Sequence, residues 1–561
     1  MPFVLVRFAC VCMGVASPLA WAQQKPTAGT ELQQIAPAPA APARAPELRM
    51  PADAPPASAS ADARKVLVKK LTVAGATVWT ADELVRASGF VPGGQYTVSA
   101  LHALAAKITA LYRSRGYFLA QTYLGAQDIT DGTVQLTVVE GRIASVNLQN
   151  ASQVSDGVAH ALADPLRTDT APAQLAPMER NLLLLTDLPG VQVKSVLKPG
   201  ATPGTTELWL DLAPGPRVSG SVEADNQGNT YTGSNRVGAS VAFNEPTGHG
   251  DVATARVLTS GEGLAYGRVS YQTRVGSVNA GLAYTTMHYQ LGGDLANTQS
   301  SGDANVGSVY LLYPLLRSRA YNLAFQADVE SKDYSDRVGT GSPANNSDKN
   351  DATGELSLKG NYQDASGSTF GNYVLGWAHG NLTLQGADAQ QVDANSASTQ
   401  GAWDKFTFTV ARQSPLLQDT DLYFSVGGQW ASKNLDASEK FSLGGANGVR
   451  AFPTGEAPGD DGILATLESR TPLPGLSESL SGRVQLVTFV DAGQVVVNQN
   501  PWSSSNGANI QTLKGAGLGL NYVNSSNLLV RAALAFKLGD EVATSAPDAN
   551  ERFWLQLSKA F

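Results

Sequence analysis

The side chains able to do chemistry are few in this chain and stand apart from one another. Five histidines, His102, His160, His249, His288 and His379, are scattered without the spacing that metal ligation uses. Both cysteines, Cys10 and Cys12, fall within the first 22 residues, and neither a Gly-x-Ser-x-Gly elbow nor a Gly-Lys phosphate loop occurs. The many Asp and Glu residues read as solvated loop charges, so the sequence predicts no catalytic residues, no metal and no cofactor, and the protein is not expected to be an enzyme. One acid is different. Across 483–496 side chains alternate, so that Phe489, Asp491 and Gly493 share one face while Val484, Leu486, Thr488, Val490 and Ala492 share the other. The second set suits lipid, and an ionised Asp cannot face lipid cheaply. Asp491 is therefore expected to face the inside of a barrel, with Gly493 leaving room for another backbone to approach. Arg450, in the glycine-flanked segment 431–462, reads on its own as a solvated loop cation.

Strands must position that acid. From residue 216 to 561 helical periodicity disappears and sixteen alternating segments follow: 218–226, 235–243, 252–259, 265–272, 277–286, 304–312, 321–333, 355–363, 369–378, 405–412, 422–430, 463–471, 483–496, 514–522, 528–537 and 552–561. Long polar connections at 287–303, 334–350, 381–402 and 431–462 alternate with short ones such as 274–276 and 523–527. This is the pattern of a transmembrane β-barrel with short periplasmic turns and long outer loops. A soluble β-sandwich is the alternative, but it leaves the long polar loops unexplained.

Ahead of this region, 65–213 twice spells strand, helix, helix, strand, strand. In the first unit Thr80 and Thr97 stand as helix caps, and Leu101, Leu104, Ile108, Leu111 and Tyr112 line one helical face ending at Gly116. The second unit runs from Ile143 through a helix ended by Asp187-Leu188-Pro189-Gly190. Residues 1–22 read as a signal peptide, with Arg7 before an apolar stretch and Ala20-Trp21-Ala22 at its end. A membrane anchor is the alternative, for which the stretch is short. Residues 23–64 carry a possible helical turn or two at 30–35, disorder being the other reading, and then an Ala/Pro-rich linker. The formal net charge of −8 provides no basic field for nucleic acid.

The chain resembles the outer-membrane transporters of two-partner secretion. The resemblance covers about 65–561 and rests on motifs in order. The modules carry Gln127-Asp128-Ile129-Thr130-Asp131-Gly132, Val138-Val139-Glu140-Gly141 and Asp187-Leu188-Pro189-Gly190-Val191. The barrel carries Phe441-Ser442-Leu443-Gly444-Gly445, Val449-Arg450-Ala451-Phe452 and Phe489-Val490-Asp491-Ala492-Gly493. Ala451 stands where the family usually has Gly. The resemblance implies α+β periplasmic modules followed by an all-β domain: two POTRA-like domains, 65–142 and 143–215, then a 16-stranded antiparallel barrel, 216–561. It further implies that the loop 431–462 folds into the lumen and locks there through Arg450 and Asp491, supported by Phe441, Gly444, Gly445, Val449, Phe452, Phe489 and Gly493. The last strand, with Phe553, Leu555 and Leu557 on one face and Phe561 at its end, resembles the signal read by the barrel-assembly machinery, with Lys559 interrupting the apolar face. The expected place is the outer membrane of a Gram-negative bacterium, in contact with its lipid. The expected role is secretion of an unfolded exoprotein, by the resemblance a large β-helical adhesin, haemolysin or contact-dependent toxin. An outer-membrane assembly factor and a passive porin are the alternative functions.

Overall fold

The computed structural model describes residues 26–35, 48–49, 64–168, 170–261, 263–339, 346–505 and 507–561. The leader 1–22 and most of the Ala/Pro-rich linker lie outside the described residues. In the first module the segment 66–73 divides at Lys69. Val66–Val68 pairs with Gly94–Tyr96, a strand with no sequence signal, and Lys70–Ala74 pairs in parallel with Thr133–Val139. Thr80 caps Ala81–Ser88 through a reciprocal bond with Glu83, and Thr97 caps Val98–Ser114. Leu101, Leu104, Ile108 and Tyr112 pack on Val134, Leu136 and Val138. The second module repeats the order, with a core of its own around Leu185, Leu208, Leu210 and Leu212.

The module motifs resolve into local hydrogen bonding. The Gln127 side chain donates to the Gln135 carbonyl (2.8 Å) and accepts from its N–H (2.7 Å), continuing the ladder where Gln121–Leu124 ends. Glu140, 8% exposed, accepts from the N–H groups of Thr77 (2.7 Å) and Val78 (2.9 Å), from the Tyr112 hydroxyl (2.7 Å) and from the Thr77 hydroxyl. Gly141 has φ 75° beside Leu119, where a Cβ would lie 2.4 Å from another Cβ.

Sixteen strands, from Val218–Asp225 to Glu551–Ala560, close into an antiparallel barrel in which each pairs with its sequence neighbour and the last pairs with the first. That closing seam runs from Ser221 opposite Ala560 to Asp225 opposite Gln556. Several strands run past the limits read from the sequence: Ser301–Arg317, Tyr321–Arg337, Asn346–Gln363 and Gly401–Leu417 have 17 or 18 residues. The outer ends of the first three are polar, so alternation stops marking them although the ladder continues. Helices do not vanish after 216 either, since Ala387–Ala394 and Pro474–Ser479 form short ones. Both are under three turns, too short to show a period. The second helix precedes Val484, an expected lipid-facing residue that is 2% exposed, and Ser477 accepts from its N–H.

The second module seats against the short-turn rim of the barrel through its Asp-Leu-Pro-Gly motif. Asp187 takes Arg317 of the sixth barrel strand in a fork, both bonds 2.7 Å. Arg180 donates to the Pro314 and Leu315 carbonyls, and Glu179 accepts from Arg319. Gly190, at φ 66°, lies where a Cβ would meet Asn244 at 2.9 Å.

Burial works against the Glu140 charge, but the bonds from Thr77, Val78 and Tyr112 outweigh it and hold the carboxyl below its ordinary range. In residues 65–215 expressed alone, Glu140→Ala should cost ~3 kcal/mol, because buried donors lose their acceptor, and a lower urea midpoint would report it. The charge contributes fully above the unfolded pKa, and its contribution is lost as pH falls through the lower folded one. Glu140→Gln should flatten that part of the acid dependence in the same melts.

Candidate functional site

Between the eleventh strand, Thr420–Ala431, and the twelfth, Asp461–Pro472, the chain turns back inside the barrel. A short antiparallel stem of Phe441–Ser442 with Pro458–Gly459 carries a compact tip, where the Val449 N–H donates to the Leu443 carbonyl (2.7 Å) and the Leu443 N–H to the Glu456 carbonyl (3.1 Å). Glycines permit this fold. A Cβ at Gly444 would stand 2.3 Å from the Pro453 oxygen, one at Gly448 2.0 Å from the Leu443 oxygen, and Gly445 has φ 119°.

The tip delivers Arg450 to the wall. Its Nε donates to Asp491 Oδ2 and its Nη2 to Oδ1, both at 2.8 Å, while its backbone N–H reaches Oδ2 at 3.2 Å. Asp491, fully buried, also accepts from the Thr466 hydroxyl (2.9 Å). The third guanidinium nitrogen, Nη1, donates to Glu468 (2.7 Å), an acid the sequence reading did not single out. Glu468 is shared, because Arg470 forks onto its other oxygen at 2.7 and 2.9 Å. The Phe489 ring lies 3.4 Å from the guanidinium carbon. Phe489, Asp491 and Gly493 do face inward while Val490 is 48% exposed on the outside.

Leu443, Val449, Ala451 and Phe452 form one buried cluster with Phe489, and Phe441 packs at its edge. What Gly493 admits is a side chain, not a backbone: a Cβ there would stand 2.5 Å from Leu443 Cδ2. Ala451 fits in place of the usual glycine because its methyl faces Gly515, where a Cβ would come within 2.6 Å, and its φ is not positive.

Other anchors escaped the sequence reading. Asp460, fully buried, accepts from Lys440 Nζ (2.6 Å) and from the N–H groups of Leu435 and Gln499. Glu456 accepts from Thr544 and Ser545. Asp436 pairs with Lys349, and Glu439 with Lys332 and Lys405, all three lysines standing on barrel strands. Burial opposes both loop charges, but Lys349 beside Asp436, and Lys405 and Lys332 beside Glu439, hold the two carboxyls below their ordinary range. The available signal was the pair Gly455-Glu456 and Gly459-Asp460, acids set directly after glycine.

The short N-terminal helix, Ala28–Gln33, sits inside the barrel between this loop and the wall. Thr27 and Thr30 cap it reciprocally, so it begins two residues before the expected turn at 30–35. The Ala28 N–H donates to Asp336 (2.8 Å), the Thr232 hydroxyl to the buried Glu31 (2.7 Å), and Gln33 to the Ser438 carbonyl. A Cβ at Gly29 would stand 2.3 Å from Ser438 Cβ. On the last strand Phe553 and Leu557 are exposed outward, with Phe561 exposed just past its end, Leu555 half-buried and Ser558 facing inward. Lys559 reaches the Ser526 carbonyl in a periplasmic turn, which explains how an outward lysine is tolerated.

Residues 204–522 match the family described as haemolysin secretion/activation protein ShlB/FhaC/HecB, and 66–141 match the ShlB-type POTRA domain. The chain is 27% identical over 487 residues to the heme/hemopexin transporter protein HuxB of Haemophilus influenzae, covering 86% of this chain and 84% of that one. It is 24% identical over 477 residues to the outer membrane transporter CdiB of Escherichia coli, covering 81% and 76%. Among solved structures, CdiB from Escherichia coli superposes with a TM-score of 0.68 at 19% identity, covering 91% of this chain and 93% of that chain. BamA from Haemophilus ducreyi lacking POTRA domains 1-3 superposes at 0.53 and 16% identity, covering 88% and 100%. These two structural likenesses concern the fold.

The contact between Leu443 and Gly493 is open to a double-mutant cycle. Gly493→Ala should destabilise the folded barrel by ~1–3 kcal/mol through overpacking. Combined with Leu443→Ala, which makes the space, it should cost less than the sum of the single changes by ~1 kcal/mol, read from the heat-modifiable shift on gels.

Proposed function

The chain belongs to the haemolysin secretion/activation family and is an outer-membrane transporter that secretes a partner exoprotein, and from that premise we propose how its own residues hold and release the pore. The modules stand in the periplasm and the barrel in the outer membrane. Arg450 and Asp491 lock the re-entrant loop, and the loop's position governs passage of the cargo. The fork of Arg450 on a fully buried Asp491 carries this reading. Phe441, Gly444, Gly445, Val449, Phe452, Phe489 and Gly493 shape the seat. The 23–64 segment places its helix in the lumen as a plug, with the linker as its tether.

The cargo is a large exoprotein that arrives unfolded and becomes β-helical outside. Its recognition by strand addition to the modules would give main-chain affinity with little sequence demand. In the second module one edge strand, Val191–Pro199, already pairs in parallel with Leu48–Arg49 of the chain's own linker. The edges of the first module's three-stranded sheet, Lys70–Ala74 and Gln121–Leu124, carry no such neighbour among the described residues. Arg142–Asn150, the far edge of the second module's sheet, is likewise without a neighbour among the described residues, so cargo engages one of these three edges or displaces the linker. The outward Phe553 and Leu557, with Phe561 exposed beside them, support insertion by the barrel-assembly machinery and contact with outer-membrane lipid.

Arg450→Ala and Asp491→Ala should each leave a folded barrel yet sharply reduce surface delivery of cargo per folded barrel. Arg450→Ala strands the buried Asp491 charge, at a cost of ~3–5 kcal/mol if the site stays dry and less as water enters, whereas Asp491→Ala leaves Arg450 its Glu468 partner and costs less. Wild-type export by both variants would sink the lock. The reversal Arg450→Asp with Asp491→Arg should fail, because the new acid faces Glu468; adding Glu468→Gln should recover part of the export. For the plug, burial raises the Glu31 carboxyl to about 7, against the opposing Thr232 bond and Arg236 charge. A raised pKa means the seated helix holds its proton more tightly than the free one. Its seating should weaken as pH rises from the ordinary carboxyl value toward about 7, then level off. Single-channel conductance in planar bilayers should rise over that window, and Glu31→Gln should abolish the dependence.

A further inference from the structure

The loop 538–550, which joins the fifteenth strand, Leu528–Lys537, to the sixteenth, Glu551–Ala560, turns inward onto the tip of the re-entrant loop. Its contact is built around one acid. Glu456 is 3% exposed, and its two oxygens receive the Thr544 N–H (2.9 Å to each), the Thr544 hydroxyl (2.7 Å), the Ser545 N–H (2.8 Å) and the Ser545 hydroxyl (2.7 Å). Four donors converging on one carboxylate far along the chain make a dedicated seat, since charge-assisted bonds are roughly twice as strong as neutral ones. Ala543 enters the apolar cluster of Leu443, Val449, Ala451 and Phe452. Lys537 Nζ stands 4.8 Å over the Phe452 ring, and the Trp554 indole donates to the Arg450 carbonyl at 2.7 Å. The last hairpin thus touches the tip at four places, none of which involves Asp491.

We propose that Glu456 is a positioning residue for translocation: through it the loop 538–550 clasps the re-entrant loop from outside and sets how deep its tip sits in the pore. The proposal rests on the reading that loop position governs secretion. The Arg450 fork fixes the tip against the wall in the thirteenth strand, Gly482–Val496, whereas the clasp fixes its opposite side against the last hairpin. With both held the tip is fixed on two sides, and with the clasp released it can turn about the Asp491 fork. Thr544 and Ser545 present backbone donors as well as hydroxyls, so the acid is the member of the contact that substitution can remove.

The predicted mature chain has no cysteine, so introduced thiols report without background. In the full-length protein in outer membranes, Ala543→Cys, buried in the clasp, should label slowly with a membrane-impermeant maleimide, and about tenfold faster once Glu456→Gln is added. Secretion per folded barrel should fall by a similar factor. In a second background, Glu456→Cys with Thr544→Cys should show the same secretion loss, and a short reversible bis-methanethiosulfonate bridge between the two thiols should restore export until reductant removes it. Unchanged Ala543→Cys labelling in Glu456→Gln, or a bridged protein as defective as the unbridged one, would overturn the clasp. Faster labelling with wild-type secretion would support the clasp and refute the link between loop position and export.

Discussion

Arg450 brings a permanent charge and five donors to a wall that offers it a fully buried Asp491 and a nearly buried Glu468. A planar fork meeting two carboxylates defines both a position and an orientation, which a lysine ammonium in the same place would not. The surroundings follow from that requirement. Thr466 completes the Asp491 shell, Phe489 lies under the guanidinium, and a Cβ at Gly517 would stand 2.4 Å from the Phe489 ring. Gly493 clears space for Leu443, and Gly515 for Ala451. The tip glycines then let a non-helical, non-strand segment bond to itself, as it must when its backbone groups are withdrawn from water.

The barrel supplies the frame through alternation. A strand that separates lipid from a wet interior must send consecutive side chains to opposite media, so Val490 goes out when Asp491 goes in. The same rule places Lys332, Lys349 and Lys405 on inner faces, where Glu439 and Asp436 of the loop meet them. Loop and wall are therefore complementary in charge along two sides. The N-terminal helix fits into what remains, and its Gly29 is small because Ser438 stands against it.

How much of this was legible depended on whether the physics acted locally. Caps at Thr80 and Thr97, the inward parity of Asp491 and the order of the sixteen strands are set by neighbours in sequence or by a period of two, and they read directly. The outer ends of Ser301–Arg317 and Asn346–Gln363 did not, because above the membrane both faces meet water and the period carries no hydropathy contrast. Glu468, Glu456 and Asp460 were missed for another reason. Their partners lie 18, 88 and 20 residues away, and nothing in a single acid beside glycine says which donor it will find. Arg450 itself read as a loop cation until the family resemblance supplied its partner.

The choice of polar anchors has a thermodynamic sense for a pore that has to pass a chain. An apolar plug would be held by area, at ~25 cal/mol per Å² with no preferred register, and moving it would expose that area at once to the lumen water. Carboxylate and guanidinium groups behave differently, because each can be rehydrated or handed to another partner as the loop shifts. Glu468 already shares its two oxygens between Arg450 and Arg470, so withdrawing Arg450 leaves it paired, not stranded. Among the described residues Asp491 has no such second cation beside it, and its remaining donor is the neutral Thr466. The two acids that hold one arginine thus differ in what they lose: release is cheap on the Glu468 side and expensive on the Asp491 side. A loop held in that way is expected to pivot about Asp491 before it lets go of it, which gives the seat a direction of opening.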